Sequence, residues 1–190
     1  MYDCLKGCVS MILTYGECIE RYGTDYKIKK EIQAGRLFQK EKGIYSDEKW
    51  CSDITVITVR YPRAIFTGES AYYYYGLTDV IPDKFHLATL RTDSRIKDPS
   101  VQQYFINENL FKVGKTSMTY YGVQIPIYSR ERLLVDLIRQ KSKLSYDFYK
   151  ELIGSYRRIA EELDFFLVEE CTEPLKNKNS ILKAIELEVL

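Results

Sequence analysis

The sequence has no long hydrophobic run, a single histidine and no Cys-x-x-Cys pair. No apolar stretch approaches the roughly 18 residues that a membrane-spanning helix needs. The N-terminus also lacks the positively charged and then apolar segment of a signal peptide. These absences argue against an integral membrane protein, and they predict a cytoplasmic protein without a membrane partner.

The five cysteines indicate a reducing compartment, because their number is odd and none belongs to a Cys-x-x-Cys pair. Cys4 and Cys8 stand one helical turn apart and would make half of a metal site. However, His86 is the only imidazole and lies far away in the sequence. We therefore predict buried free thiols, no metal ion and no cofactor.

Catalytic patterns are equally scarce. A nucleotidyltransferase needs a Gly-Ser turn followed by two carboxylates one residue apart, which hold the catalytic metal. Gly154-Ser155 is followed by Asp164, but position 166 is Phe166, so the second ligand is missing. His86 lies in an apparent strand, with no serine or cysteine placed to act as its nucleophile. The sequence thus predicts a protein that is not an enzyme.

The stretch from Thr24 to Ser46 has the pattern of a helix followed by a hairpin. Thr24 is a suitable N-cap, and Ile28 and Ile32 stand one turn apart on a single apolar face. Gly35 is a typical C-terminal stop, and the short runs on either side of Lys40-Glu41-Lys42-Gly43 are strand-like. A short basic helix followed by a basic hairpin is typical of a winged helix-turn-helix.

Positive charge is concentrated in this stretch. Six cations and two anions lie between Tyr26 and Lys42, whereas the whole chain carries a net charge of +1. We predict that the cations contact DNA phosphates and that Tyr26 and Gln33 reach base edges. The predicted DNA-binding residues are Tyr26, Lys27, Lys29, Lys30, Gln33, Arg36, Lys40 and Lys42. The alternative is a solvated helix and hairpin with no nucleic-acid role.

The patterns predict two domains. Residues 3–14 have apolar positions at helical spacing, and 17–22 fit a second short helix before the basic one. A winged helix-turn-helix domain would then span residues 1–48, and a second domain residues 49–190. In the second domain we predict helices at 52–61, 69–75, 130–140, 145–163 and 180–190 and strands at 85–90, 102–106, 110–113, 116–121 and 123–128.

Helices, then strands, then helices indicate an α+β fold for the second domain. Because strands that are close in sequence usually pair antiparallel, we predict a mixed α/β domain with a mainly antiparallel sheet. In the helix at 130–140, Arg132 and Asp136 are one turn apart and can pair directly, and Glu131 faces Arg139 two turns away. These charges either pin the helix to the sheet or form a ligand site.

The sequence resembles the AbiEi antitoxins of bacterial abortive-infection systems, which are counted as type IV toxin-antitoxin pairs. Four blocks carry the resemblance, over roughly residues 24 to 160. They are the helix and hairpin at 24–46, RYPRAIFTGESAYYYYGLTDVIP at 60–82, KFHLATL at 84–90 and IPIYSRERLLVDLIR at 125–139.

The resemblance implies an N-terminal domain that represses its own operon and a C-terminal domain that neutralises a toxin. The implied partners are promoter DNA, with inverted repeats, and a nucleotidyltransferase toxin that is countered without a stable complex. The candidate residues of the antitoxin domain are Tyr73, Arg130, Glu131, Arg132, Asp136 and Arg139. The alternative is a stand-alone winged-helix regulator, or a protein- or RNA-binding module, with no toxin partner.

Overall fold

This computed structural model describes residues 11–190, which divide into two compact units. The first unit contains residues up to 63 together with 119–124, and the second contains 64–118 and 125–190. The division therefore falls later in the chain than the predicted boundary at residue 48. The reason is the helix at 53–60, which packs on the small sheet of the first unit.

The first unit has the element order of a winged helix-turn-helix. Its three strands form an antiparallel sheet in the order β1-β3-β2. The elements are β1 (Ile12–Thr14), α1 (Tyr15–Tyr22), α2 (Asp25–Gln33), β2 (Phe38–Glu41), β3 (Ile44–Ser46) and α3 (Asp53–Arg60). In this order α2 takes the place of the recognition helix, and the β2–β3 hairpin takes the place of the wing.

Local signals explain why the two helices begin where they do. Thr14 and Glu17 form a reciprocal capping box at the start of α1, and the Thr24 hydroxyl accepts a hydrogen bond from the backbone of Lys27 in α2. The core of this unit contains Cys18, Ile28, Leu37 and Tyr45, with Leu13, Ile19, Tyr22 and Ile32 packed around it.

The predicted helix at 3–14 is wrong at its C-terminal end. Residues 12–14 form β1, in which Ile12 pairs with Ser46 and Thr14 with Ile44. Backbone pairing with β3 therefore decides the conformation of this segment, over the helical spacing of its apolar residues. The rest of that predicted helix, including Cys4 and Cys8, lies outside the described residues.

The second unit combines a five-stranded sheet with helices. The strand order is β6-β5-β4-β8-β7. Its elements are β4 (Ile65–Phe66), α4 (Gly68–Tyr74), β5 (Phe85–Leu90), β6 (Val101–Ile106), α5 (Glu108–Phe111), β7 (Lys115–Tyr120), β8 (Val123–Tyr128), α6 (Arg130–Gln140), α7 (Tyr146–Arg158), α8 (Phe165–Thr172) and α9 (Lys178–Glu188). The predicted α+β fold is confirmed.

The sheet is more mixed than predicted. Strand β4 is antiparallel to β5 but parallel to β8, and β5 is parallel to β6. The connection 91–100 makes the last pairing feasible without a helix. Ten extended residues span up to about 33 Å, whereas a strand as long as β5 or β6 extends over only about 17 to 20 Å. The connection can therefore run back along the strand.

Two further predictions in this unit need correction. Residues 110–113 do not form a strand, because 108–111 fold into the short helix α5 with Phe111 buried. The long helix expected at 145–163 ends at Arg158, and α8 follows after a short 3-10 turn. At 108–111, packing of the buried Phe111 side chain outweighs the local strand-like pattern.

Helix α6 has more buried residues than any other helix described in the second unit. Ser129 caps it by accepting from the Arg132 backbone, and Leu133, Leu134 and Leu137 have no exposed surface. It contacts α4, α8 and α9. Within residues 11–190, every helix is too short or too polar to cross a bilayer.

Candidate nucleic-acid interface

Helix α2 exposes a polar face on the side opposite its core residue Ile28. Tyr26 is 74% exposed, and Lys27, Lys30 and Gln33 are also exposed. These four residues follow helical spacing, so they share one continuous surface. The structure therefore brings together the two predicted base-reading residues and two of the predicted phosphate-binding lysines.

Two other predicted DNA-binding cations form ion pairs within this unit. Lys29 Nζ lies 3.0 Å from an Asp25 oxygen, and this hydrogen bond raises the pKa of Lys29. Arg36 binds Glu31 through two hydrogen bonds of 2.7 and 2.8 Å, which lower the pKa of Glu31. The four side chains are largely in solvent, apart from the half-buried Glu31, so these pairs are weak and a DNA phosphate can compete for the cations.

The wing contributes two more of the predicted cations. Lys40 Nζ donates to the Lys49 carbonyl at 2.6 Å, whereas Lys42 is exposed at the tip beside Gly43. Gly43 has a φ of +84°, which the tight connection requires. Among residues 11–190, no carboxylate pairs with Lys42, and the same holds for Lys27 and Lys30. These three lysines are therefore the ones most available to phosphate.

Arg132, Asp136 and Glu131 on α6 belong to a buried network of ion pairs and hydrogen bonds. The Arg132 side chain is 1% exposed, with Nε 2.9 Å from Asp136 and a terminal nitrogen donating to the carbonyls of Leu110 and Val113 at 2.7 and 2.8 Å. Its guanidinium also lies 4.5 Å from the ring centre of Tyr128. Arg132 therefore holds the loop after α5 against α6.

Asp136 accepts from two arginines. Its second oxygen lies 2.8 Å from Arg139, so Arg139 pairs with Asp136 and not with Glu131 two turns away. Glu131 is buried and accepts from the backbone of Asp164 at 3.3 Å. Of this group, only Arg139 reaches an open surface.

The other two antitoxin-domain candidates have mainly structural surroundings. Arg130 is half-buried and donates to Glu162 at 2.8 Å, which raises its pKa. Tyr73 is half-buried and meets Tyr74 edge-on, with 6.0 Å between the ring centres. In contrast, Tyr72 is buried and donates to the Leu133 carbonyl at 3.1 Å.

Arg139 lines a cleft of about 550 Å³ in the second unit. The other lining residues are Thr67, Gly68, Gln103, Tyr104, Phe105, Ile106, Asp136, Gln140, Lys143 and Asn177. The Tyr104 hydroxyl in this wall lies 3.0 Å from Nδ1 of His86, and Nε2 of His86 lies 3.7 Å from Glu69. Burial, aided by the charge of Lys84, lowers the pKa of His86 to about 4. The imidazole is therefore neutral at pH 7.

This cleft was not predicted from the sequence. Its residues come from the start of α4, from β6 and α6, and from the segments around Lys143 and Asn177, so no single stretch carries its pattern. The one available signal was Phe105, an aromatic residue near the end of a strand. Only the sheet order brings these segments to the same place.

Metal and thiol chemistry find little support in the described part of the chain. Residues 11–190 contain no group of three or more His, Cys, Asp or Glu side chains placed to hold a metal ion. Cys18, Cys51 and Cys171 are free thiols, and burial raises the pKa of Cys171 to about 12. A thiol with such a pKa is a poor nucleophile at neutral pH.

Comparison with known proteins identifies a similar fold. No family model and no curated protein matches the chain. Among solved structures, the chain is similar to the crystal structure of the RV2827C protein from Mycobacterium tuberculosis, with a TM-score of 0.63 and 15% sequence identity. The match covers 92% of this chain and 72% of that one. At this identity, the likeness shows a shared fold and nothing further.

Proposed function

We propose that this protein is a DNA-binding repressor of its own operon and the antitoxin of a type IV toxin-antitoxin system. The DNA-binding part is supported by one observation above all. Helix α2 stands in the recognition position of a winged helix-turn-helix and carries Tyr26, Lys27, Lys30 and Gln33 on one exposed face. The lysines supply affinity through phosphates, and the tyrosine and glutamine supply base contacts.

The wing extends the same interaction. The β2–β3 hairpin follows α2 directly in the chain, and its cations can help to position the domain through phosphate contacts. Lys42 at the hairpin tip is free for a phosphate, and an ion pair between Glu41 and Arg60 links the hairpin to α3. The wing is therefore a supported element and not a loose loop.

The test is a gel shift with the DNA upstream of the protein's own gene, measured at several salt concentrations. We expect the double variant Lys27→Ala/Lys30→Ala to bind more weakly. Because each phosphate contact contributes about 0.9 to the slope of log affinity against log salt, the slope should fall by about 1.8.

The matched control is Lys176→Ala/Lys183→Ala, which removes two lysines from the second unit. We expect this variant to bind like the parent protein. If the α2 variant kept both the affinity and the salt slope of the parent, DNA binding through α2 would be refuted.

The antitoxin part of the proposal is supported by the sequence resemblance. The partner is a nucleotidyltransferase toxin, which the protein counters in the cytoplasm without catalysis of its own and without a stable complex. Three free thiols among the described cysteines are compatible with that compartment. A nucleotidyltransferase gene next to this one would favour the proposal. Its absence would favour a stand-alone winged-helix regulator.

A further inference from the structure

The strand β6 forms one edge of the larger sheet and is bordered by two clefts. The first cleft, of about 650 Å³, lies between β6 and the connection 91–100. The second is the cleft that contains Arg139. Gln103 and Phe105 line both clefts. The two clefts therefore meet at these side chains and form one surface along the edge strand, which we name the β6 surface.

The connection 91–100 is held in a fixed conformation beside β6. The amide of Gln103 accepts from the Ile96 backbone at 2.8 Å and donates to Ser94 and Thr89 at 3.1 and 2.8 Å. Asp98 accepts from both the backbone and the hydroxyl of Ser100. The cations on this connection are consequently presented by an ordered segment, which reduces the entropy lost on binding a ligand.

Cations border the β6 surface on both sides. The first cleft is lined by Lys84, Arg95 and Lys97, and the second by Arg139 and Lys143. Within residues 11–190, Arg139 is the only one of the five that forms an ion pair, through the buried Asp136. That pair uses one nitrogen of Arg139 and fixes its orientation, which leaves other N–H groups for a ligand.

An aromatic side chain lies between the two groups of cations. Phe105 is 46% exposed, although large apolar side chains usually pack inward. Its neighbours along the surface are amide and hydroxyl groups, from Gln102, Gln103 and Tyr104. A half-exposed ring among amides and cations is the arrangement that binds unstacked bases and the phosphates next to them.

From this arrangement we infer that the β6 surface binds single-stranded nucleic acid, with a base stacked on Phe105. The flanking phosphates are bound by Lys84, Arg95 and Lys97 on one side and by Arg139 and Lys143 on the other. A duplex does not fit this role, because its bases are already stacked on one another. A single nucleotide would leave the cations of one cleft unused. This site is separate from α2 and does not depend on promoter binding.

The test is fluorescence anisotropy with labelled oligo(U) and oligo(dT) of about 12 nucleotides. The full-length protein carries Lys27→Ala/Lys30→Ala as background, so that α2 does not contribute. We expect Phe105→Ala to weaken binding about tenfold and Phe105→Trp to restore it, since the indole also stacks on a base. Arg95→Gln/Lys97→Gln should lower the salt slope by about 0.7 for each phosphate that the variant no longer binds.

Matched controls separate these effects from general changes. Leu187→Ala removes an apolar side chain that is 71% exposed on α9, and Lys183→Gln removes a charge from the same helix. Both should bind like the background protein. A circular dichroism spectrum equal to the background establishes that Phe105→Ala is folded.

Three outcomes would overturn the inference. One is unchanged affinity in Phe105→Ala and in Arg95→Gln/Lys97→Gln. Another is equal binding of a duplex and a single strand by the background protein. The third is full competition by ATP at the concentration at which the oligonucleotide competes, which would indicate a mononucleotide pocket. Equal affinity for oligo(U) and oligo(dT) supports recognition through phosphates and stacking, and a preference for oligo(U) adds a contact to the 2′-hydroxyl.

Discussion

At the scale of single residues, burial separates side chains that look alike in the sequence. Arg132 and Arg139 lie on the same helix and share the carboxylate of Asp136. Arg132 is enclosed and donates to two backbone carbonyls, so removing it would leave buried acceptors unsatisfied. Arg139 lines an open cleft and keeps free donors. The first therefore has a structural role and the second can meet a ligand.

The buried His86 leads to a prediction for the dependence of stability on pH. Its pKa is lowered to about 4, against 6.5 for an exposed histidine. Between these values the unfolded chain binds a proton that the folded chain does not. The contribution of the neutral imidazole to the free energy of unfolding is therefore complete above pH 6.5 and is lost as the pH falls toward 4. The expected loss is about 2 kcal/mol at pH 5.

Urea unfolding of the parent protein and of His86→Gln between pH 7 and pH 5 measures this loss. Because His86 is the only histidine, the decrease should be largely absent in the variant. Glu69 lies beside the imidazole, and burial raises its pKa. Its protonation therefore stabilises the folded protein as the pH falls, opposite to the effect of His86, and this contribution is present in both proteins. An equal decrease in the two proteins would contradict the assignment.

At the scale of elements, the loop between α5 and β7 depends on a glycine. Gly114 has a φ of +69°, and a Cβ there would lie 2.4 Å from the Cβ of Arg132. Gly76 after α4 has nearly the same φ, +68°, but nothing lies within 4 Å of its added Cβ. The two positions thus share a positive φ and differ in the space available to a Cβ atom.

Comparing these two glycines separates the cost of the left-handed backbone conformation from the cost of the steric clash. We expect Gly76→Ala to lower the free energy of unfolding by about 1 to 2 kcal/mol, the cost of the left-handed conformation. Gly114→Ala should lose at least twice as much, because α6 must move away or the loop must open. Urea denaturation of both variants measures the difference. Similar losses would show that the loop tolerates the extra atom.

At the scale of the whole molecule, the proposed repression and neutralisation lie in different units. Lys27→Ala/Lys30→Ala should therefore release a reporter placed behind the protein's own upstream DNA. The same variant should still protect cells that express the proposed nucleotidyltransferase toxin. Reporter activity and growth, measured in one strain at equal protein levels, test this separation. If protection were lost together with repression, the assignment of neutralisation to the second unit would be refuted.

Much of the first unit was predictable, because its signals are local. The Thr24 cap, the apolar residues Ile28 and Ile32, and Gly43 in the turn each act on neighbours a few residues away. The strand at 12–14 was missed because its partner, β3, lies about thirty residues further on. Tyr26 and Gln33 are exposed because both stand opposite the apolar face of α2, while their contact with bases stays a prediction.

The sequence by itself determined the α+β class, the helix-turn-helix with its wing, and the direct pairing of Arg132 with Asp136. These features follow from caps, turns and residues one helical turn apart, which interact within a short stretch of chain. Only the tertiary structure decided that β5 and β6 are parallel, that Arg132 is enclosed while Arg139 is open, and that Phe105 lies between two groups of cations. These features depend on segments that are distant in sequence, and the sheet order and burial that unite them arise only when the whole unit packs.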